Sequence, residues 1–389
     1  MLRSLTLFCF GLSLSADATL HKAFADGNIN AEMQLFYYNI DKKNDSNVYA
    51  TSAGGYLKYT TDTNNPFFGS VRFHTSNPVL DSQEREKTAL FKKDGSALTA
   101  ISESYLAYKT DTRILKVGNF MLNTPMMNDD TTRIVPWSYR GFAYTGESIK
   151  DLKVQLYYVD AIRPNTSDRY KKQSASGEFD SITMLSLHYN GINGLKTGFY
   201  YYYAPALYST FVAQSDYDIA LDANTLLCFG VQYFKSGNGG KYAKTDDKNG
   251  GDDINLVALR SSIDAKNYSL AINYSQNFGL SGVVGGYGGA AKVYTTSMIA
   301  NGRGAFKPET WMLKATYDLN LGDYQSEVAL TLTNTQAKDK RGDDFKAYYL
   351  HFKHFFTKEA SIYLRYESLK FASSIKDANY FRAIATYKF

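Results

Sequence analysis

The sequence predicts an all-β chain folded as a single transmembrane antiparallel barrel of 18 strands, with both ends on the periplasmic side. Three observations carry this. Apolar and polar residues alternate with a period of two in one short stretch after another. After the first few residues no apolar segment reaches the roughly 20 residues that a spanning helix needs. The connections between the alternating stretches are short and long in turn. A membrane chain without spanning helices has to close its sheet, because unpaired backbone groups are too costly in lipid.

The chain opens MLRSLTLFCFGLSLS, with a single early cation, Arg3, then an apolar run and small residues. This is the pattern of a signal peptide over 1–15. Cleavage after Ser15 leaves Ser13 and Ser15 in the small-residue positions; cleavage after Ala18 is the alternative, with Ala16 and Ala18. Cys9 lies inside the apolar run, so after cleavage only Cys228 remains and no internal disulfide can form. The formal charge of +5 is a weak bias, and no compact Lys/Arg run suggests nucleic acid. The 33 Tyr and 24 Phe beside only 7 Pro suit a β-rich chain, soluble or membrane-bound, so the pattern along the chain has to separate the two.

The first alternating stretch places Ile29, Ala31, Met33, Leu35 and Tyr37 on one face and Asn30, Glu32 and Gln34 on the other. Val154, Leu156 and Tyr158 oppose Lys153 and Gln155 in the same way. So do Ile362, Leu364 and Tyr366 against Ser361, Arg365 and Glu367, and Phe381, Ala383, Ala385, Tyr387 and Phe389 against Arg382, Thr386 and Lys388. The predicted strands are 28–40, 50–60, 67–76, 102–110, 112–121, 139–148, 151–162, 182–190, 194–205, 207–219, 223–236, 254–264, 267–278, 309–319, 324–335, 345–356, 359–371 and 379–389. Connections after even strands are short; most after odd strands are long, at 77–101, 122–138, 164–181, 237–253 and 279–308. Periplasmic ends require this division of inner turns and outer loops. The connection near Pro205 and Ala206 breaks it. A soluble sandwich has no reason to sort its loops by side. Tyr and Phe collect at strand ends (Phe36 to Tyr38, Tyr200 to Tyr203, Tyr387, Phe389), as interfacial girdles require.

If the apolar faces meet lipid, the alternate face lines a lumen. It carries Glu32, Lys58, Arg72, His74, Glu103, Lys109, Lys116, Arg140, Lys153, Lys196, Lys314, Asp318, Glu327, Lys353, Arg365, Glu367, Arg382 and Lys388. A dry core would have to pair nearly all of these; a water-filled channel accepts them. The stretch 122–138, LNTPMMNDDTTRIVPWS, has two prolines and no alternation. It is expected to fold inward as a constriction, with Asp129, Asp130 and Arg133 acting on passing solutes by charge and hydrogen bonds. The glycine-rich 279–289 with its tail to Lys307 is either a second inward loop or an extracellular one.

Two groups of residues resemble the OprD family of outer membrane porins, in the smaller, Campylobacterota-type version. Near the start are Leu20, Ala23, Phe24, Gly27, Tyr37, Tyr38 and Asp41; Ala31 and Gln34 stand where the family usually has Gly and Arg. More specific is the run Gly118, Leu122–Asn123–Thr124–Pro125, Asp129, Asp130, Arg133, Pro136 and Gly141, which looks like the family's third-loop signature. The resemblance implies an 18-stranded channel, monomeric with a trimer as the other arrangement. It implies a narrow eyelet, a basic ladder, and small carboxylates, amino acids or ions as solutes. Lumenal parity assigns the ladder to Arg72, Lys116, Arg140, Arg365 and Arg382. Outer-membrane lipid is the other expected partner.

Two other functions compete. A barrel hydrolase would need a nucleophile constellation, but no G-x-S-x-G occurs and His74, His188 and His351 read as lumenal hydrogen-bonders, so no enzyme is expected. An adhesin would have a blocked lumen. No cofactor is implied. The acidic run 246–253, in loop 237–253, holds oxygens enough for loose Ca²⁺ binding but lacks the spacing and final Glu of an EF-hand, and reads as a solvated turn.

Overall fold

The computed structural model describes residues 22–174, 177–205, 207–238, 253–279, 286–300, 306–321, 324–340 and 342–389. The proposed leader and the acidic run, save Asp253, lie outside them. The wall consists of β1 (Asn28–Lys42), β2 (Val48–Thr60), β3 (Phe67–Pro78), β4 (Leu98–Lys109), β5 (Arg113–Phe120), β6 (Ser138–Ile149), β7 (Leu152–Arg163), β8 (Ile182–Tyr189), β9 (Leu195–Tyr203), β10 (Tyr208–Ala220), β11 (Leu226–Asn238), β12 (Asn255–Asp264), β13 (Tyr268–Asn277), β14 (Phe306–Leu321), β15 (Tyr324–Asp339), β16 (Phe345–Phe355), β17 (Ala360–Phe371) and β18 (Ala378–Lys388). Each strand pairs antiparallel with the next, and β18 returns to β1, from Glu32 opposite Lys388 to Lys42 opposite Ala378. The sheet therefore has no edge.

All 18 predicted segments fall on these strands, with ends no more than four residues apart. The largest differences lie at outer ends, where the alternation changes character. At the start of β4, Leu98 and Ala100 point inward yet are apolar, because they pack on Val135 of an inward loop. A bulge at Ser102 then restores the polar lumenal face from Glu103 onward. The exception in the loop sorting is real: β9 and β10 are joined by a short outer connection, 204–207, whose Ala204 and Leu207 are buried. Met33, Leu57, Leu106, Val117, Leu259 and Leu350 are exposed on the outer face, as a lipid-facing wall requires.

Strands approach closely where β5 releases the chain inward. Gly118 and Gly141 sit opposite one another in the β5–β6 ladder, with φ of 131° and 150°. A Cβ on Gly118 would lie 2.3 Å from Ser104 O, and one on Gly141 1.9 Å from Tyr158 O. These neighbours are backbone and cannot step aside. Both glycines belong to the third-loop signature, and they supply a close approach of strands that no side chain permits. Gly141→Ala is expected to destabilise the barrel by about 1–3 kcal/mol, the usual cost of strained backbone. Gly237→Ala, with nothing within 4 Å, should be near neutral. Urea titration of barrels refolded into vesicles, read by gel mobility, compares the two.

Candidate functional site

The chain leaves the wall after Phe120 and re-enters it at Ser138. Between them, 121–137 runs inside the barrel, where Met126 N reaches Tyr202 OH on the far wall and Arg133 lies over the Tyr38 ring. Its own turn is closed by Thr124 N donating to Met127 O (2.8 Å) and Asp129 N donating to Leu122 O (2.8 Å). A second segment, 286–300, also lies inside and holds the first. Tyr287 N donates to Met126 O (2.9 Å), Asn128 N to Gly288 O (3.1 Å) and Lys292 N to Pro125 O (2.9 Å). The Asn128 side chain closes the contact, donating to Ala290 O (2.5 Å) and accepting from Ala290 N (3.3 Å). Gly289, at φ 74°, approaches so closely that a Cβ would lie 2.3 Å from Asn128 O. The glycine-rich stretch thus serves contact between loops. Of its two sequence-stretch readings, the inward one holds for 286–289; 280–285 lie outside the described residues.

Tyrosines from the wall pin both segments. Tyr202 OH donates to Thr124 Oγ1 (2.9 Å) and accepts from Met126 N (3.2 Å). Tyr139 OH donates to Asn128 O (2.8 Å), and Tyr287 OH donates to Tyr208 O (2.9 Å). The rings of Tyr202 and Tyr287 stack at 5.3 Å. Around them a continuous apolar cluster fills the inner faces of β4–β12. Further along, 286–300 follows the wall. Asn273 Nδ2 donates to Tyr294 O (2.6 Å), Tyr294 OH to Asp216 (2.6 Å), and Ile299 N to Glu367 Oε2 (2.6 Å). Buried Arg163 fixes the exit of 121–137 by donating to Pro136 O (2.8 Å) and Ser138 Oγ (3.0 Å).

The predicted site residues separate into groups. Asp129 and Asp130 are half-buried on the inward loop, and Thr132 Oγ1 donates to Asp130 (2.7 Å). Burial pushes the Asp129 carboxyl above its usual range, and Lys292 pulls it back. Arg133 lies on the same loop but serves as an anchor. Its guanidinium sits 4.8 Å from the Tyr38 ring and donates to Thr88 O (3.1 Å) and Thr132 O (3.0 Å). Arg382 lies over the same ring at 4.5 Å, donates to Tyr38 OH (3.2 Å), and is 1% exposed. Both arginines therefore support the loop.

Arg72, Lys116 and Arg365 face the lumen. Arg72 and Lys58 share Glu103, at 3.0 and 3.2 Å. Lys116 lies over Tyr105 at 4.7 Å. Arg365 lies over Tyr349 and Tyr363 and donates to Tyr349 OH (3.0 Å). Arg140 leaves the ladder. In the register Asn119 faces Arg140 and Val117 faces Phe142, whereas lumenal Lys116 faces Ala143. Arg140 thus shares the outward face with exposed Val117. It pairs bidentately with Asp160 at 2.9 Å near the outer rim, where the strand has passed the apolar band. The three histidines expected to be lumenal point inward to hydrogen-bond partners: Ser102 for His74, Ser186 for His188, Glu327 for His351.

Three features escaped the sequence reading. Arg260 faces inward, 2.8 Å from Asp216 and 3.1 Å from Cys228 Sγ; its alternation with Val257, Leu259 and Ile263 carried the signal. Lys292, on the second inward loop, bonds the Asn123 side chain and lies in the field of Asp129 and Asp130. No periodicity could have found it. Finally, His351, Arg365 and Arg382 are direct cross-strand neighbours and form one in-register row on β16–β18. Beneath 286–300 a cavity of about 590 Å³ is lined by Arg260, Lys314, His351 and Arg365 together with Asp218 and Tyr294.

A family model described as outer membrane porin, OprD family, matches residues 23–326. The chain belongs to the OprD family of outer membrane porins. The fold agrees. OccK9 (OpdG) of Pseudomonas aeruginosa superposes with a TM-score of 0.81 at 16% identity, covering 94% of this chain and 99% of that one. OccK8 (OprE) gives 0.79 at 14% identity over 94% and 98%. OpdK, solved with vanillate, gives 0.79 at 16% identity over 94% and 99%. A sequence comparison with curated proteins finds no match. This OprD-family porin is therefore an outer membrane channel for small polar solutes, and the proteins it matches are channels rather than enzymes. Among its described residues no group of three or more metal-ligating side chains occurs.

Asn128→Ala removes the side chain that joins the two inward segments. Losing its two hydrogen bonds to Ala290, at a part-buried contact, costs about 1–3 kcal/mol. Single-channel recordings should show a folded barrel with raised, flickering conductance; a steady trace of unchanged size would mean that the segments hold together without Asn128.

Proposed function

We propose that this porin selects small carboxylate-bearing solutes, without catalysis and as a single-chain channel. They pass between the acidic tip of the inward loop, Asp129 and Asp130, and a basic wall led by Arg365, Arg72 and Lys116. The observation that supports this most is the composition of the lumen around the second inward loop. The apolar cluster occupies β4–β12. Arg260 marks its border on β12, and the remaining arc carries Lys314, Arg365, Lys58 and Arg72 around to β3. A cation held in a narrow, partly desolvated passage acts on an anion far more strongly than in bulk water.

Arg365 is the rung best suited to meet a solute. Arg72 and Lys58 are partly neutralised by Glu103, and Arg382 is occupied under the loop. Arg365 borders the open cavity and is bracketed by two tyrosine rings at 5.6 and 5.2 Å. This offers a carboxylate a charge and a ring beside it, a combination suited to aromatic acids such as the vanillate found with OpdK. Asp129 and Asp130 oppose the wall, so that a dianion or a bulky anion is held back while one carboxylate passes.

Reversal potentials across a planar bilayer under a KCl gradient test the assignment. Arg365→Gln should lower the chloride-to-potassium permeability ratio by about twofold or more, as expected from deleting one charge in a confined field. Asp130→Asn should raise it. Because burial raises the Asp129 pKa, acidification should increase anion preference before ordinary carboxylates titrate, and Asp129→Asn should remove that part of the pH dependence. Unchanged ratios in both Arg365→Gln and Asp130→Asn would reject this constriction.

A further inference from the structure

We propose that the outer face of β13–β16 carries a binding site for a phosphorylated, multiply acylated glycolipid of the outer leaflet, with Lys346 holding its phosphate. A groove of about 370 Å³ lies there, lined by Ile272, Trp311, Leu313, Leu332, Lys346 and Tyr348. It is on the outer wall, remote from the lumen. Ile272, Trp311, Leu313 and Tyr348 are all exposed.

The register orders its chemistry in two rows. Ile272, Leu313, Leu332 and Tyr348 are successive cross-strand neighbours and form an apolar floor. One step toward the outer rim, Tyr274, Trp311, Asn334, Lys346 and Lys370 form the next row. The polar–apolar boundary of the wall therefore runs through the groove. Trp311 and Tyr348 stand on it as interfacial aromatics do.

Charge favours an anionic occupant. Neighbouring rim cations already have partners: Lys338 pairs with Glu309 at 2.5 Å and Lys370 with Asp377 at 3.6 Å. Lys346 pairs with no described acid, and Asn334 beside it adds an amide donor. A lysine next to an anionic lipid surface contributes about 1 kcal/mol. β14 runs from the outer side to a periplasmic turn, so Trp311 and Lys346 stand at the level of the outer leaflet. The anionic lipid of that leaflet in Gram-negative cells is the phosphoglycolipid that anchors lipopolysaccharide. An acyl chain on the Leu313–Leu332 floor leaves its phosphorylated sugar at Lys346.

Native mass spectrometry of the full-length barrel in detergent, with bis-phosphorylated hexa-acyl lipid A as the probe, tests this. Wild-type protein should retain lipid A in preference to phosphatidylglycerol and to dephosphorylated lipid A. Lys346→Gln should lower retention about fivefold, the equivalent of one lysine contact. Trp311→Ala should lower it independently. Heat-modifiable gel mobility and unaltered conductance verify that each variant is folded. Equal retention by Lys346→Gln, equal retention of phosphatidylglycerol, or cross-linking of two copies through residue 334 would each overturn the proposal.

Discussion

Pairing of β18 with β1 is the constraint on which the remaining structure depends. In hydrocarbon no water is available for a free amide, so a sheet either closes or fails to insert. Closure fixes the strand direction, and through it which side chains see lipid and which see the lumen. It also forces all chain that is not strand to one of the two rims or into the interior. The short turns take the periplasmic rim. The longer connections then have the choice between standing in water and filling the hole that a barrel of this width would leave.

Two of them fill it, and they do so unevenly. One arc of the wall, β4–β12, presents tyrosines and aliphatic side chains, and these receive the inward segments as a conventional core would. The opposite arc keeps charges such as Lys314 and Arg365 on the lumen, and smaller apolar clusters on β1–β2 and β16–β17 take the remaining loop contacts. A polar lumen needs no packing partner, whereas an inserted loop does; the aromatic arc supplies it. The tyrosine hydroxyls satisfy loop backbone groups that would otherwise be buried without partners.

Much of the wall was legible in the sequence because lipid and water impose opposite demands on successive residues. Strand number and closure followed from alternation, and its interruption marked 122–138 as chain that leaves the wall. Legibility ended where the interior ceases to be wet. Leu98, Ala100, Phe36 and Tyr38 face inward yet are apolar or aromatic, since loops cover them, so alternation there no longer reports which side is lipid. Arg140 illustrates the converse. It was assigned lumenal parity, but the register sets it on the outward face with Val117 and Phe142, near the rim, where an outward charge meets headgroups. The role of Lys292 depends on contacts between segments about 160 residues apart (Asn128 and Ala290 are the linking pair), and no local pattern records such a meeting.

Tyr38, held under both Arg133 and Arg382, separates retention from recognition. The cations that secure the loop, Arg133 and Arg382, stack on this one ring, and the carboxylates proposed to meet solute, Asp129 and Asp130, take no part in that contact. On that proposal, evolution can recharge Asp129 and Asp130 without unseating the loop. A lineage of channels selecting solutes in this proposed way would diversify its diet by single substitutions at Asp129 or Asp130, while the arginine pair stays as it is.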